Sequence, residues 1–165
     1  MIIYFVRHGE TEWNKKKIIQ GHKDSPLTLK GKKNAENLGK ALEKKKIEVI
    51  YTSDLGRCVQ AAEIINKHLK TKLVKTRKLR ERDFGSLGGK PYKEVGKVLS
   101  LSNFNKKAPE GESFNQLKNR VINFLKLLNK KKLEKVLVVT HEGALRAIFK
   151  CNTRPDRVYF LDKIK

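Results

Sequence analysis

The sequence predicts a three-layer α/β/α domain with a mostly parallel central sheet. Two continuous apolar runs, Ile2–Val6 and Val136–Thr140, are rich in β-branched residues and too short for globular helices. Runs of this kind are typical of strands that are buried on both faces. Between and after them, segments with apolar residues at helical spacing alternate with short strand-like segments. This alternation favours parallel strands joined by helical crossovers that pack on the sheet.

The elements follow one another without a repeat or a composition break, so we expect one domain over residues 1–165. Thr28 is expected to cap a helix that runs to Lys46, and Ser53 or Asp54 to cap the helix after the second strand. The other predicted elements, in chain order, are strands over 47–52 and 72–76, an irregular segment over 79–89, a helical piece started by Pro91, a polar loop over 102–107, a helix after Ser113, a helix over 143–150 and a last strand over 157–161.

The charge of the chain is unusual for its length: 165 residues carry a net charge of +22. The basic residues come mostly as lysine triplets such as 44–46 and 130–132, without the interleaved aromatic residues that stack on bases. We therefore predict a lysine-rich solvated surface that favours anionic substrates, and do not expect nucleic acid as a partner. No apolar run approaches the about 20 residues of a membrane span, and Met1 leads directly into the first strand. We expect no membrane partner and a cytoplasmic location.

The two cysteines, Cys58 and Cys151, form neither a disulfide framework nor a metal-binding motif. No other cluster has metal-ligand spacing, so we predict that the protein uses no metal and no cofactor. Cys58 lies beside Arg57 in the first turn of a predicted helix, where a thiol of lowered pKa is one interpretation and simple packing is the other. We expect packing roles for both cysteines.

Both buried strands end at a histidine, His8 and His141. If the strands are parallel neighbours, the two rings meet at the carboxyl edge of the sheet, which is where ligands bind in open α/β sheets. Arg7 lies beside His8, and the turn after the second strand brings Arg57 to the same edge. Two guanidinium groups, two imidazoles and helix amino-termini form a pocket for an anion, and a phosphoryl group has enough acceptor oxygens to occupy it.

On these residues the sequence resembles the histidine phosphatase superfamily, which includes the cofactor-dependent phosphoglycerate mutases. Among its subgroups, small phosphatases of the α-ribazole phosphatase type are the most similar. The resemblance implies the phosphoglycerate mutase-like fold. The matching blocks occur in the family's order: Arg7-His8-Gly9-Glu10-Thr11 with Trp13-Asn14, Gln20-Gly21, Asp24-Ser25-Pro26-Leu27-Thr28, Thr52-Ser53-Asp54-Leu55-Gly56-Arg57, Leu79-Arg80-Glu81 with Phe84-Gly85, Gly111-Glu112-Ser113 and Val139-Thr140-His141.

The resemblance also implies roles for the matching residues. His8 is the expected nucleophile, which takes the phosphoryl group as a phosphohistidine. Glu81 is the expected proton donor to the leaving oxygen and then the base that activates water. The residues expected to bind the phosphoryl group or line the mouth of the pocket are Arg7, Asn14, Gln20, Gly21, Arg57, His141 and Glu142; His22 is a candidate for contact with the substrate. An exposed, ion-paired Glu81 between Arg80 and Arg82 is the competing interpretation.

Glu142 departs from the family's pattern, because a glycine commonly follows the second histidine. A carboxylate beside a phosphate pocket repels the ligand unless it is turned away or protonated. We therefore expect Glu142 to point outward, or toward the leaving group, where it shares the role of Glu81.

The resemblance also bears on the choice between hydrolysis and isomerisation, because phosphoglycerate mutases of this group have an insertion here that encloses the site. A mutase must keep water from the phosphohistidine and a phosphatase must admit it, so the short segment between Gly89 and Pro109 favours hydrolysis. The predicted function is a metal-independent phosphomonoesterase acting on a small phosphorylated metabolite. Phosphoglycerate mutase activity is the first alternative, and an inactive protein that binds a phosphorylated ligand or nucleic acid is the second. The substrate and the oligomeric state are not encoded in any motif.

Overall fold

A computed structural model describes residues 1–99, 103–150 and 153–162. The predicted packing role of Cys151 and the first residue of the predicted loop over 102–107 lie outside these residues. The elements are β1 (Ile2–Arg7), α1 (Glu12–Lys15), α2 (Leu29–Leu42), β2 (Val49–Ser53), α3 (Gly56–Leu69), β3 (Lys72–Thr76), α4 (Tyr92–Val98), α5 (Phe114–Asn129), β4 (Lys135–Thr140), α6 (Glu142–Phe149) and β5 (Val158–Leu161), with 3₁₀ turns at Glu43–Lys45, Arg77–Leu79 and Gly85–Leu87.

The central sheet has five strands in the order β3-β2-β4-β1-β5. The first four are parallel to one another, and β5 adds to the edge of β1 in the antiparallel direction. The strands β1 and β4 are neighbours, paired from Ile2 with Lys135 to Arg7 with Thr140. The predicted mostly parallel α/β sheet is confirmed, and the two strands that end at histidines finish side by side.

Helices cover both faces of the sheet. Successive side chains of a strand point to opposite faces, so Phe5 contributes to the core under α5 and α6, whereas Val6 contributes to the core under α2 and α3. The same alternation separates Val138 from Val139 on β4. Strands buried on both faces explain why β1 and β4 are continuous apolar runs and do not alternate with polar residues.

The helix starts agree with the sequence in two places and differ in one. Thr28 caps α2 by accepting a hydrogen bond from the backbone N–H of Gly31 (3.0 Å), and Ser113 forms a capping box with Gln116. The predicted cap of α3 by Ser53 or Asp54 is wrong, because the N-cap is Leu55, which has no side chain able to accept. The carboxylate of Asp24, from a distant loop, accepts the N–H of Arg57 instead.

The loop after β1 is fixed by a glycine pair. Gly9 lies so close to the backbone of Gly31 in the first turn of α2 that a Cβ on either residue would collide with the opposite main chain. The approach locks the backbone that follows His8 against α2. No helix within the described ranges is both long and apolar enough to cross a membrane.

Candidate active site

The carboxyl ends of β1 and β4 bring His8 and His141 together, with ring centroids 5.1 Å apart. Arg7 closes β1, and Arg57 reaches the same edge from the first turn of α3. We call these four residues the strand-end cluster. His8, Arg57 and His141 are 4%, 1% and 0% exposed, so the charges and rings of the cluster lie almost entirely away from bulk water.

The ring of His8 is held in one orientation and one tautomer. Its Nδ1 lies 2.8 Å from the carbonyl oxygen of Gly9, which can only accept, so Nδ1 carries the proton. The other nitrogen, Nε2, carries no proton, and its electron pair accepts a long hydrogen bond from Arg57 Nε (3.4 Å). Burial, followed by the charges of Arg57 and Arg7, holds the pKa of His8 well below its usual value. The ring is therefore neutral and nucleophilic at neutral pH.

His141 lies deeper than His8 and does not line the cavity. Its Nε2 is 2.8 Å from Ser53 Oγ and 3.4 Å from the sulfur of Cys58. Burial, then Arg57 and His8, keep the pKa of His141 well below its usual value, so this ring is also neutral. The structure places His141 against His8, behind the cavity wall.

Burial raises the pKa of the Cys58 thiol strongly. The sequence-based alternative of a lowered thiol pKa is therefore wrong. Desolvation outweighs the positive charge of the adjacent Arg57. The thiol packs beneath the strand-end cluster and is not accessible from the cavity.

Arg57 is the most heavily bonded side chain of the cluster. Its Nη1 donates to the Lys23 carbonyl and to Asp24 Oδ1 (both 2.9 Å), and its Nη2 donates to the Gly21 carbonyl (2.8 Å). With the bond from Nε to His8, the guanidinium joins α3, β1 and the loop of residues 20–24, which we call the Gln20 loop. A planar fork with several donors fits this position, whereas a lysine ammonium does not.

The guanidinium of Arg7 is only partly engaged by other described residues. Its Nη1 lies 2.8 Å from Glu142 Oε2 and 3.2 Å from the carbonyl oxygen of Thr153. Its Nε is buried and has no hydrogen-bond partner among the described residues. A buried guanidinium N–H without a partner is costly. Arg7 lines the cavity beside His8, so an anion bound there would meet its guanidinium.

The side chain of Asn14 adds a neutral donor to the same cavity. Its Oδ1 accepts hydrogen bonds from the backbone N–H and the hydroxyl of Thr11, both at 3.0 Å, in a capping box. The carbonyl end of the amide is thereby occupied, which directs the NH₂ end toward a ligand. Gln20 and Gly21 also line the cavity, as predicted.

Glu81 lies in the cavity wall, on a loop of residues 80–84 that we call the Glu81 loop. Its two carboxylate oxygens accept backbone hydrogen bonds from Arg82 (2.7 Å) and Gly143 (3.0 Å). A Cβ at Gly143 would collide with the carboxylate, so a larger residue there would displace the Glu81 side chain from this position. Arg80 forms a bidentate pair with Asp54. The competing interpretation of Glu81 as an exposed, ion-paired surface charge is therefore wrong.

Glu142 does not point away from the site. It is the first residue of α6, lines the cavity and pairs with Arg7 at 2.8 Å. Neutralisation by Arg7 was not among the two expected ways to accommodate a carboxylate beside a phosphate pocket. The ion pair places a negative charge beside the guanidinium that an incoming anion would use.

The outer part of the cavity consists of residues that the sequence did not identify. They share apolar or cationic character and come from different loops and helices: Ile19, Arg82, Phe84, Tyr92, Phe104, Phe114 and Arg146. The cavity volume is about 160 Å³. The spacing of Arg146 four residues after Glu142 on α6 was a usable signal, whereas the aromatic residues have no common sequence pattern. His22 does not line the cavity.

The match to known families agrees with this geometry. Residues 3–156 match the profile described as "Histidine phosphatase superfamily (branch 1)". The chain belongs to this superfamily. Within the described residues, no group of three or more His, Cys, Asp and Glu side chains is placed to hold a metal ion. The predicted independence from metals remains a prediction.

Relatives of this superfamily member carry both phosphatase and mutase-like names. The chain is 37% identical over 158 residues to phosphoglycerate mutase-like protein 4 of Arabidopsis thaliana, covering 89% of this chain and 69% of that protein. It is 33% identical over 147 residues to the uncharacterized phosphatase PhoE of Bacillus subtilis, covering 88% and 74%. The structure of the α-ribazole phosphatase from Shigella flexneri has the same fold, with a TM-score of 0.86, 22% identity and coverage of 97% and 89%.

Proposed function

We propose that this protein is a metal-independent phosphomonoesterase that hydrolyses a small phosphorylated metabolite through a phosphohistidine on His8. The observation that carries the proposal is the state of the His8 ring. Its Nδ1 donates a proton to the Gly9 carbonyl, and its unprotonated Nε2 has an electron pair whose contact with Arg57 Nε is long (3.4 Å). A neutral imidazole with a cationic neighbour can attack phosphorus and have the developing charge stabilised at the same point.

The anion would be bound by the side chains around Nε2. The guanidinium groups of Arg7 and Arg57 and the amide of Asn14 line the cavity and would donate to the phosphoryl oxygens. His141 would contribute to this binding from the buried side, where its ring contacts His8. These donors stabilise the charge on the transferring group, which is the main catalytic need in phosphoryl transfer.

Two steps complete the reaction. In the first, Nε2 of His8 forms a bond to phosphorus while the bond to the ester oxygen breaks, and protonated Glu81 gives its proton to that oxygen. In the second, water attacks the phosphorus, Glu81 takes a proton from the water and the phosphorus–nitrogen bond breaks. Inorganic phosphate and free His8 result. The contacts from Arg82 and Gly143 hold the Glu81 carboxyl at one position in the cavity wall, as a group that transfers protons requires.

The size of the cavity supports a small substrate. A space of about 160 Å³ is similar to one that holds a benzene-sized molecule. The phosphoryl group and the first atoms of the alcohol fill such a space, and the rest of the substrate meets the apolar and cationic residues of the outer part. The names of the relatives place α-ribazole phosphate and phosphoglycerate among the substrates to be screened.

The decisive assay is phosphate release from p-nitrophenyl phosphate in the presence of EDTA. We expect turnover by the wild-type protein and its loss in His8→Ala, with His68→Ala as a matched control because His68 pairs with Glu36 and does not line the cavity. Intact turnover in His8→Ala contradicts the phosphohistidine route. A parallel assay with 3-phosphoglycerate tests the mutase alternative: formation of 2-phosphoglycerate faster than phosphate release would favour it. Salt-sensitive binding to random DNA without any turnover would favour the binding-protein alternative.

A further inference from the structure

His22 lies between the two loops that carry the site, without lining the cavity itself. Its Nε2 donates to the backbone carbonyl of Glu81 (2.9 Å), because a carbonyl oxygen can only accept. Its Nδ1 lies 3.3 Å from Asp83 Oδ2. When both ring nitrogens carry protons, the imidazole from the Gln20 loop holds the Glu81 loop at two points, on either side of Arg82, because carbonyl and carboxylate oxygens only accept.

Asp83, one of the two contacts of His22, is held in place by further hydrogen bonds. Asp83 accepts a hydrogen bond from the N–H of Gly85 through its Oδ1 (2.9 Å). Its backbone N–H donates to Glu112 Oε1 (3.0 Å), and its carbonyl accepts from the N–H of Glu112 (2.9 Å). The carboxylate that faces His22 is thus part of a bonded network that continues to the start of α5. The imidazole ring is attached to a fixed point.

The backbone on either side of His22 is attached to the strand-end cluster. The residues on either side of His22, Gly21 and Lys23, give their carbonyl oxygens to Arg57. A displacement of this segment is therefore resisted by the same guanidinium that lies beside His8. Through three consecutive residues, the backbone that orients Arg57 also orients the backbone of Glu81.

We propose that His22 is a positioning residue that sets the Glu81 carboxyl relative to the phosphoryl group held by Arg57 and His8. The proposal rests on the proposed function of Glu81 as proton donor. Removal of the imidazole leaves the Glu81 carbonyl with its second donor, Arg120 Nη2 (3.3 Å). Nη1 of the same guanidinium donates to the Arg80 carbonyl (3.0 Å). The Glu81 loop therefore remains folded, held by Arg120, Gly143 and Glu112, but it loses the hydrogen bond from the Gln20 loop.

A matched pair of substrates tests this proposal. Phenyl phosphate and p-nitrophenyl phosphate have similar shapes, but nitrophenolate leaves readily without a proton and phenolate does not. The value of kcat/KM reports the steps up to breakage of the ester bond, where Glu81 gives its proton. In Glu81→Gln we expect kcat/KM for phenyl phosphate to fall about 10²-fold or more, with a much smaller loss for p-nitrophenyl phosphate.

His22→Ala is expected to show the same pattern to a smaller extent. A misplaced proton donor lowers kcat/KM for phenyl phosphate roughly tenfold to 10²-fold, whereas the value for p-nitrophenyl phosphate and inhibition by inorganic phosphate stay within about threefold. His22→Gln, which keeps an N–H donor, should recover part of the loss. His68→Ala, which removes a carboxylate-paired histidine away from the cavity, should leave kcat/KM unchanged for both substrates.

Equal losses on both substrates in His22→Ala, or unchanged kinetics on both, overturn the positioning role. If Glu81→Gln itself shows no dependence on the leaving group, the proposed proton donor is wrong, and the failure lies with the proposed function. If Glu81→Gln shows the dependence and His22→Ala does not, only the role of His22 fails. Far-UV circular dichroism and urea unfolding of each variant separate these outcomes from loss of the fold.

Discussion

The strand-end cluster and the loop wall around it are built in different ways. Within the cluster, Arg7 and Arg57 lie on β1 and α3, and His8 and His141 directly follow β1 and β4. The two histidines and Arg57 are buried, and Arg7 is partly exposed. The loop wall, which we define as the Gln20 loop, the Glu81 loop and Glu142, is more exposed and is held by side chains that bond to backbone groups of other loops. Regular secondary structure places the first region, and individual hydrogen bonds place the second.

The difference has a consequence for substitutions. Side chains of the cluster have their polar atoms buried against one another, so a change should lower the stability and the activity together. Side chains of the loop wall are partly solvated, so a change should act on activity or specificity with a small effect on folding. The next four predictions test this division, beginning with the largest effect.

Arg57→Lys should have the largest effect in both measurements. Lysine cannot donate at once to His8, Gly21, Lys23 and Asp24, which removes transition-state donors and leaves buried carbonyls unpaired. We expect kcat/KM to fall about 10²–10³-fold and the free energy of unfolding to fall by about 3 kcal/mol. Arg146→Lys, at an exposed arginine of the cavity, is the control and should change stability by less than about 0.5 kcal/mol. An Arg57→Lys protein as stable as wild type would break the division between the two regions.

Stability should fall below pH 6.5 because of the two buried histidines. The folded pKa of both His8 and His141 is below the unfolded value, so the unfolded chain binds more protons in this range. Their contribution is present above about pH 6.5 and is lost as the pH falls toward the folded values. Between pH 7.5 and 5.5 we expect a loss of up to about 1.4 kcal/mol for each histidine. Arg80 lowers the pKa of Asp54, so the contribution of that carboxylate is lost only at more acidic pH.

Urea unfolding at pH 7.5, 6.5 and 5.5 measures this slope. His8→Asn removes one of the two titrating groups and should remove about half of the pH dependence. A wild-type free energy of unfolding that is constant over the range would contradict the neutral, buried state of both rings.

Glu142→Gln should strengthen anion binding. The carboxylate occupies Arg7 and repels a phosphoryl group, and the amide removes the charge with little change in shape. Because the pair is partly exposed, we expect the inhibition constant of inorganic phosphate to fall only about threefold to tenfold. Glu142→Asp, which keeps the charge, is the matched control. A large loss of phenyl phosphate turnover in Glu142→Gln would instead show that Glu142 shares the proton transfer of Glu81.

Cys58→Ala should have the smallest effect. The thiol lies beneath His141, and Ser53 keeps the hydrogen bond to that ring. We expect a stability loss of about 1 kcal/mol and a change in kcat/KM of less than about threefold. Burial and the raised pKa of the thiol predict that iodoacetamide leaves Cys58 unmodified in the native protein, as peptide mass spectrometry would show. Rapid native alkylation at Cys58 would contradict this environment.

The strand-end cluster could be predicted from the sequence because the sequence indicates where the two buried strands end. An apolar run ending at His8 and another ending at His141 already place both rings at one edge once the strands are parallel neighbours. Arg57 follows from the turn after β2. The sheet and the helices on its two faces follow from the same alternation of apolar segments.

The loop wall could be predicted from the sequence only in part, since its contacts join residues that are far apart in the chain. Glu81 and Glu142 could be identified as candidates, but the pairing of Glu142 with Arg7 depends on the rotation of α6. The cap of α3 comes from Asp24, about thirty residues earlier, which local capping rules cannot find. Tyr92 and Phe104 reach the cavity from separate segments with no shared spacing.

The central claim is that His8 carries the phosphoryl group. Rapid acid-free quenching of the protein with p-nitrophenyl phosphate, followed by peptide mass spectrometry under alkaline conditions, tests it directly. We predict one added phosphoryl group on the peptide that contains His8, formed within the first turnover and lost on longer incubation, and absent in His8→Asn. Continued turnover with the label on another residue, or with no labelled peptide at any time, would contradict the account.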